Sequence, residues 1–159
     1  MAAKKPLVMT AGQVEQLQSG DTLDASTTEV DVVAKININA GTMPPGTPVY
    51  PSSATQVDMA RANSQGTSQL LGLTRAPILT NASGSIQTDG ILTLTTGEWD
   101  DITGQTGGLT FNTPYYVSSV TAGLLTTTAP TSAGTFVVRA GLALSTTELD
   151  ISAFPPIKL

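Results

Sequence analysis

Apolar and polar positions alternate with a period of two through most of this chain, and the alternation is cut at short intervals by glycine and proline. In "EVDVVAKININA" (29–40), Ile36 and Ile38 fall on one face and Lys35, Asn37 and Asn39 on the other, until Gly41 breaks the run. "QVDMARA" sets Val57, Met59 and Arg61 against Asp58, Ala60 and Ala62. "QLLGLTRAPILT" is apolar enough for an interior strand, with Gly72 at a bulge or a close approach. "GSIQTDGILTLTTG" reads as two strands, or one bent strand, around Asp89-Gly90, a dipeptide that favours a hairpin. "TPYYVSS", "LLTTTAP", "TFVVRAGLAL" and "ELDISA" complete the series. "EWDDITGQTGGL" reads as a turn or one helical turn closed by glycines, and Pro155-Pro156 in "FPPIKL" forces an extended end, a strap that packs back or reaches a neighbour. Strands this short and this regularly spaced predict a sandwich or barrel.

One phrase occurs twice. "TPVYPSSAT" (47–55) and "TPYYVSSVT" (113–121) share six of nine residues at an offset of 66, and Gly41 precedes Gly107 by the same offset. Gly72 and Gly141 each sit inside an apolar strand downstream of their copy. Two related units follow, at about 38–80 and 104–149, each of three strands. Two copies are too few for a solenoid. The expected fold is all-β: a compact antiparallel β-sandwich or barrel built from two related strand units. Pro51 stands where the second copy has Val117, and a proline removes a ladder hydrogen bond, so the first copy is expected at a sheet edge.

Residues 1–30 read differently. Gln13 to Gln18 is compatible with a short helix on the spacing of Val14 and Leu17, too small to fold alone. The segment is either an extended N-terminal attachment arm before a β-domain of residues 31–159, or a first strand and loop of that domain.

Composition narrows the chemistry. A Thr-rich chain of 159 residues with 15 Gly and 10 Pro suits pleated strands joined by turns. The net charge of −5 and the dispersal of the seven cations argue against nucleic acid as a partner. No apolar run approaches a membrane span, and "MAAKKPLVMT" has no apolar core of a secretory signal. Cysteine and histidine are both absent, which removes the common nucleophile–base pairs and zinc sites. No catalytic residue, metal site or cofactor is expected. The acids Glu98, Asp100 and Asp101 flank Trp99, the one tryptophan. Their spacing does not fit a calcium loop. They cap a turn while Trp99 plugs the core, or Trp99 meets a partner or a sugar, or two of the acids form a hydrolase pair. Tyr50 and Tyr116 hold equivalent places in the repeat and suit the core or its rim; Tyr115 is the other aromatic candidate for a partner contact.

Two stretches carry a resemblance. "KPLVMTAGQVEQLQSGDTL" resembles a leader found at the start of tailed-bacteriophage virion proteins. The series W-D-x-x-T-G-x-x-G-G-L (99–109), Y-Y-V-S, G-L-L-T-T-T-A-P and G-x-A-L-S-x-T-x-L-x-I is similar to a β-domain of phage capsid decoration and fibre proteins. The resemblance implies a capsid decoration (cement) protein on the outer surface of the head, with the major capsid protein as partner. It also implies a homo-oligomer, a trimer first and a dimer second. Lys4, Lys5, Pro6, Leu7, Val8, Val14 and Leu17 become the expected capsid-binding positions. The alternative is a short head or tail fibre, an adhesion module contacting host-surface glycan. The size of the chain favours decoration, because an arm and a compact knob suffice for it.

Overall fold

A computed structural model describes residues 31–159 and, before them, the backbone of two strands, β1 (Leu7–Thr10) and β2 (Gln13–Gln16). β1 and β2 form an antiparallel hairpin with Leu7 opposite Gln16 and Met9 opposite Val14. Gln13–Gln16 is therefore extended where a helical turn was expected; cross-strand pairing outweighs a propensity too weak to nucleate. Of the expected arm contacts, Leu7, Val8 and Val14 fall in this hairpin, whereas Lys4, Lys5, Pro6 and Leu17 lie outside the described residues.

From Val32 onward the chain is nearly all β. Strands β3 (Val32–Asn37), β4 (Pro48–Pro51), β5 (Gln56–Met59), β6 (Gly72–Thr74) and β7 (Ser83–Gln87) close into a barrel in the order β3-β5-β4-β6-β7. A second sheet follows, from β8 (Gly90–Thr93), β9 (Pro114–Val117), β10 (Leu125–Thr126), β12 (Arg139–Ala143) and β13 (Glu148–Ile151), in the order β10-β9-β12-β13-β8. Helix α1 (Thr96–Thr103) lies between β8 and β9 in the chain. Strands β11 (Phe136–Val137) and β14 (Ile157–Lys158) form a small pair that ties down the C-terminus. Every described pairing is antiparallel but one: β3 runs parallel to β5, with Ile36 opposite Gln56, and this pairing closes the barrel.

The repeat is larger than three strands per copy. Val49 pairs with Gly72, and Tyr115, 66 residues after Val49, pairs with Gly141. Tyr50 pairs with Asp58 as Tyr116 pairs with Thr126. Leu73 pairs with Gln87 as Leu142 pairs with Asp150. Val32 pairs with Gln87 as Ile91 pairs with Asp150. Thus β3, β7, β6, β4 and β5 correspond in register to β8, β13, β12, β9 and β10, and the units run from residue 32 to 87 and from 90 to 151.

Even the approach to the repeated phrase is copied. Gly46 (φ 79°) donates to the Thr74 carbonyl at 2.8 Å, and Asn112 (φ 56°) donates to that of Ala143 at 2.9 Å. Both positions need a left-handed backbone, which Gly and Asn tolerate best. Gly72 and Gly141 are required for a different reason. A Cβ on either would overlap a carbonyl oxygen of the adjoining strand, that of Gln87 or of Asp150.

The interiors of the units match position by position. Met43, Val49, Val57 and Ile86 are buried inside the barrel, and their counterparts Leu109, Tyr115, Leu125 and Leu149 are buried in the second sheet. Trp99 and Ile102 of α1 join the latter cluster, as do Ala60, Ala62 and Leu73 from the outer side of the barrel. That shared cluster joins the two units.

Two local expectations are corrected. Asp89-Gly90 does not turn a hairpin: β7 pairs with β3 and β6, and β8 pairs with β13, so this turn carries the chain from one unit to the other. β4 is not an edge strand either, since β5 and β6 flank it. Pro51 is tolerated because Pro48 and Ser52 bond toward β5 (Ala60 N to Pro48 O, 2.8 Å; Ser52 N to Gln56 O, 3.0 Å). Its own nitrogen faces the opposite side, beyond the last β6 pairing at Val49.

Candidate functional site

The W-D-x-x-T-G-x-x-G-G-L series folds into helix α1 and the loop after it. Thr95 is the N-cap: its amide donates to Glu98 Oε2 (2.8 Å), and its hydroxyl oxygen accepts from the Glu98 amide (3.3 Å), a capping box. The Thr95 hydroxyl also donates to Glu98 Oε2 (2.7 Å), and the two donors on the carboxylate lower the Glu98 pKa from 4.5, first the Thr95 amide and then its hydroxyl. Gly104 closes the helix in a left-handed conformation (φ 67°) and donates to Asp100 O at 2.8 Å.

The Asp100 side chain clamps the glycine pair, accepting from Gly107 N (3.0 Å) and Gly108 N (2.7 Å). Trp99 is fully buried and its Nε1 donates to the Thr147 carbonyl at 2.9 Å, joining α1 to the β12–β13 turn. Tyr115 is equally buried. Its hydroxyl donates to Gln105 Oε1 (2.5 Å) and accepts from Thr110 N (2.9 Å). Partner contact through Trp99 or Tyr115 is therefore corrected: neither ring reaches the surface of this fold, and each polar tip is satisfied inside it. Glu98 and Asp100 are held by backbone amides, and Asp101 is exposed on α1. No group of three or more His, Cys, Asp or Glu suited to a metal ion occurs among the described residues, and none of their helices is long and apolar enough to cross a membrane.

The repeated tyrosines part company. Tyr50 packs on the cluster between the units, opposite Asp58, and its pKa is raised from 10.0 by burial first and by the Asp58 charge second. Tyr116, at the same place in the second unit, lies opposite Arg139 in a surface groove.

This groove is the candidate interaction site. Tyr116, Val137, Arg139, Phe154, Pro155 and Ile157 line about 430 Å³ of open space. One wall is the C-terminal strap. "FPPIKL" packs back on the domain: β14 pairs with β11, Gly134 N donates to Leu159 O, and Leu159 N donates to Thr135 O, both at 3.0 Å. Even so docked, Phe154 keeps 53% and Ile157 63% of its surface exposed, so their apolar faces are available to a partner. Arg139 supplies the groove's charge. Its guanidinium carbon stands 5.5 Å from the centre of the Phe154 ring, and its Nε is buried with no hydrogen-bond partner among the described residues.

The sequence offered Trp99 and Tyr115 for a partner contact, and both are buried; the candidate groove is lined by other residues. Signals for the groove were present in Arg139, the single charge inside "TFVVRAGLAL", and in the apolar terminal hexapeptide. No protein-family model matches the chain, and no curated protein matches it in sequence.

Proposed function

We propose that the chain is a structural protein of a tailed-phage virion, of the capsid decoration kind, binding the outer face of the major capsid protein lattice as a homo-oligomer. One observation carries this reading. The residues of the W-D series that resemble phage virion proteins are occupied in building the fold: Trp99 anchors, Asp100 and Thr103 cap, Gly104, Gly107 and Gly108 turn, and Leu109 is buried. A shared pattern of that sort preserves a rigid knob and leaves its surface to a partner, which suits a cement repeated over a lattice. A knob with few long charged side chains also loses little rotamer entropy when an interface orders it. The fibre reading loses its sugar platform at Trp99, which is enclosed.

Expanded capsids prepared without the protein test this. Purified full-length chain is expected to saturate them across the lattice, and a chain beginning at residue 31 to bind far less. Binding confined to a vertex or tail would favour the fibre, and equal binding by the shortened chain would remove the arm from the account.

A further inference from the structure

The groove beside the C-terminal strap has a counterpart in the first unit. Tyr116 lies 66 residues after Tyr50, and Arg139 lies 69 after Leu70, the offset that relates Gly72 to Gly141. In the first unit Tyr50 and Leu70 stand on the outer side of the barrel and pack on the cluster that joins the units. Backbone bonds hold the second unit against that side. Ala62 N donates to Ser118 O, Gly123 N to Ala60 O and Phe136 N to Ala62 O, each at 2.9 Å. Arg61 Nε donates to Ser119 O at 3.2 Å. The outer side of the first unit is therefore a docking side for a second unit of the same build.

On the second unit the strap crosses the matching side, with β14 on β11 and Phe154 over Arg139. It does not enclose that side: Phe154, Ile157 and Leu159 are all exposed, and the groove between strap and sheet stays open. One face thus carries a recess (Tyr116, Val137, Arg139) and, beside it, an exposed apolar edge (Phe154, Ile157). Where both share a face, two copies about a two-fold axis can each fill the other's recess. Arg139 does not oppose this, because a guanidinium is weakly hydrated, stacks on rings and already rests over Phe154.

We propose that two copies of the chain associate through this face, the strap of each lying in the groove of the other. The contact continues in a second molecule the seam that joins the two units within one. For its place in a virion it rests on the reading above, but the pairing itself is a property of the free chain. Six residues line the groove, few beside the roughly 20–30 per side of a stable dimer, so micromolar or weaker association is expected.

Sedimentation of the full-length chain over a range of concentrations should show a reversible dimer. Ile157→Lys should weaken it by about tenfold or more, since each copy then buries an ammonium without a partner. Leu79→Lys, at an exposed apolar position of the first unit, should leave it unchanged. The chain lacks cysteine, so Lys158→Cys gives one site for a nitroxide. Labelled chain is then mixed with isotope-enriched unlabelled chain. The amide NMR signals of Tyr116, Val137 and Arg139 in the enriched chain should be lost and that of Leu79 kept. A chain that stays monomeric at NMR concentrations would overturn the pairing. So would a dimer that Ile157→Lys leaves intact, or one in which the label spares Tyr116, Val137 and Arg139, since the contact would then lie on another face. No capsid enters these measurements, so failure here and failure of the capsid experiment are read separately.

Discussion

The same five-strand arrangement is built twice in this chain, yet it closes in one copy and stays open in the other. In the first unit β3 and β5 meet through a parallel pairing, and the interior holds Met43, Val49, Val57, Ile78 and Ile86. In the second, β8 and β10 are the two ends of an open sheet. Tyr115 stands where Val49 does, Leu125 where Val57 does, and α1 adds Trp99 and Ile102 to the same cluster as Leu92 and Leu125. The two connections differ in proportion: residues 38–47 join β3 to β4, whereas residues 94–113 join β8 to β9 and contain the helix. A small interior lets the sheet curl until its edges pair, and a larger one keeps them apart and needs a helix to cover it. Closure is decided by what fills the sheet.

The largest effect should come from removing that filling. Trp99→Ala deletes a fully buried indole and its bond to Thr147, and a cost of about 3–5 kcal/mol is expected. Chemical denaturation measures the total, and hydrogen exchange locates it. Protection should fall in β8, β9, β10 and α1 while β3–β7 keep most of theirs. Uniform loss through both units would mean that they unfold as one body and that α1 is not specific to the second.

Next come the paired glycines. Gly72→Ala and Gly141→Ala each drive a methyl into a carbonyl oxygen, so each should cost about 1–3 kcal/mol, by equal amounts if the units are true structural equivalents. Gly97→Ala is the control, since a Cβ there meets nothing within 4 Å and a helical position gains about 0.5–1 kcal/mol. Thermal melts of the three variants suffice. A tolerated Gly141→Ala beside a damaging Gly72→Ala would show that the open sheet yields where the closed barrel does not.

Much of this comparison was legible in the sequence, and the limits have physical causes. All-β structure, short strands and a two-unit design followed from alternation, from the repeated phrase and from matched glycines, because turn and close-packing requirements act locally and leave local marks. β3 and β8 carry no shared phrase, and neither do β7 and β13, so the full extent of the units was hidden until their registers could be compared. Strand pairing is decided by partners far along the chain. For that reason Asp89-Gly90 looked like a hairpin and serves as a crossover, and Pro51 looked like an edge signal and sits in an interior strand. The structural role of Trp99 was readable from its lone aromatic character among capping acids. For the groove the sequence held only separate signals, Arg139 and the apolar end, because Tyr116, Arg139 and Ile157 come together from separate parts of the second unit and the strap.

The smallest effect tests how α1 is held at the open side. Glu98 titrates below 4.5 because the Thr95 amide and hydroxyl favour its charged form. A lowered folded value means that the unfolded chain binds more protons in the intervening range. The stabilisation is therefore complete above about pH 4.5 and is lost as pH falls through the folded value. Glu98 is half-buried but its carboxylate bonds to Thr95 at the surface, so solvent screening keeps the contribution small. Thr95→Ala removes the hydroxyl of the capping box and should cost about 1 kcal/mol at neutral pH. The two losses should overlap: between neutral pH and pH 3 the variant should lose less stability than the parent, since part of the parent's acid sensitivity arises from that hydroxyl. Paired denaturation curves at neutral and acid pH read the difference. A variant that loses more than its parent on acidification would show that the Glu98 carboxylate is held by something other than its own cap.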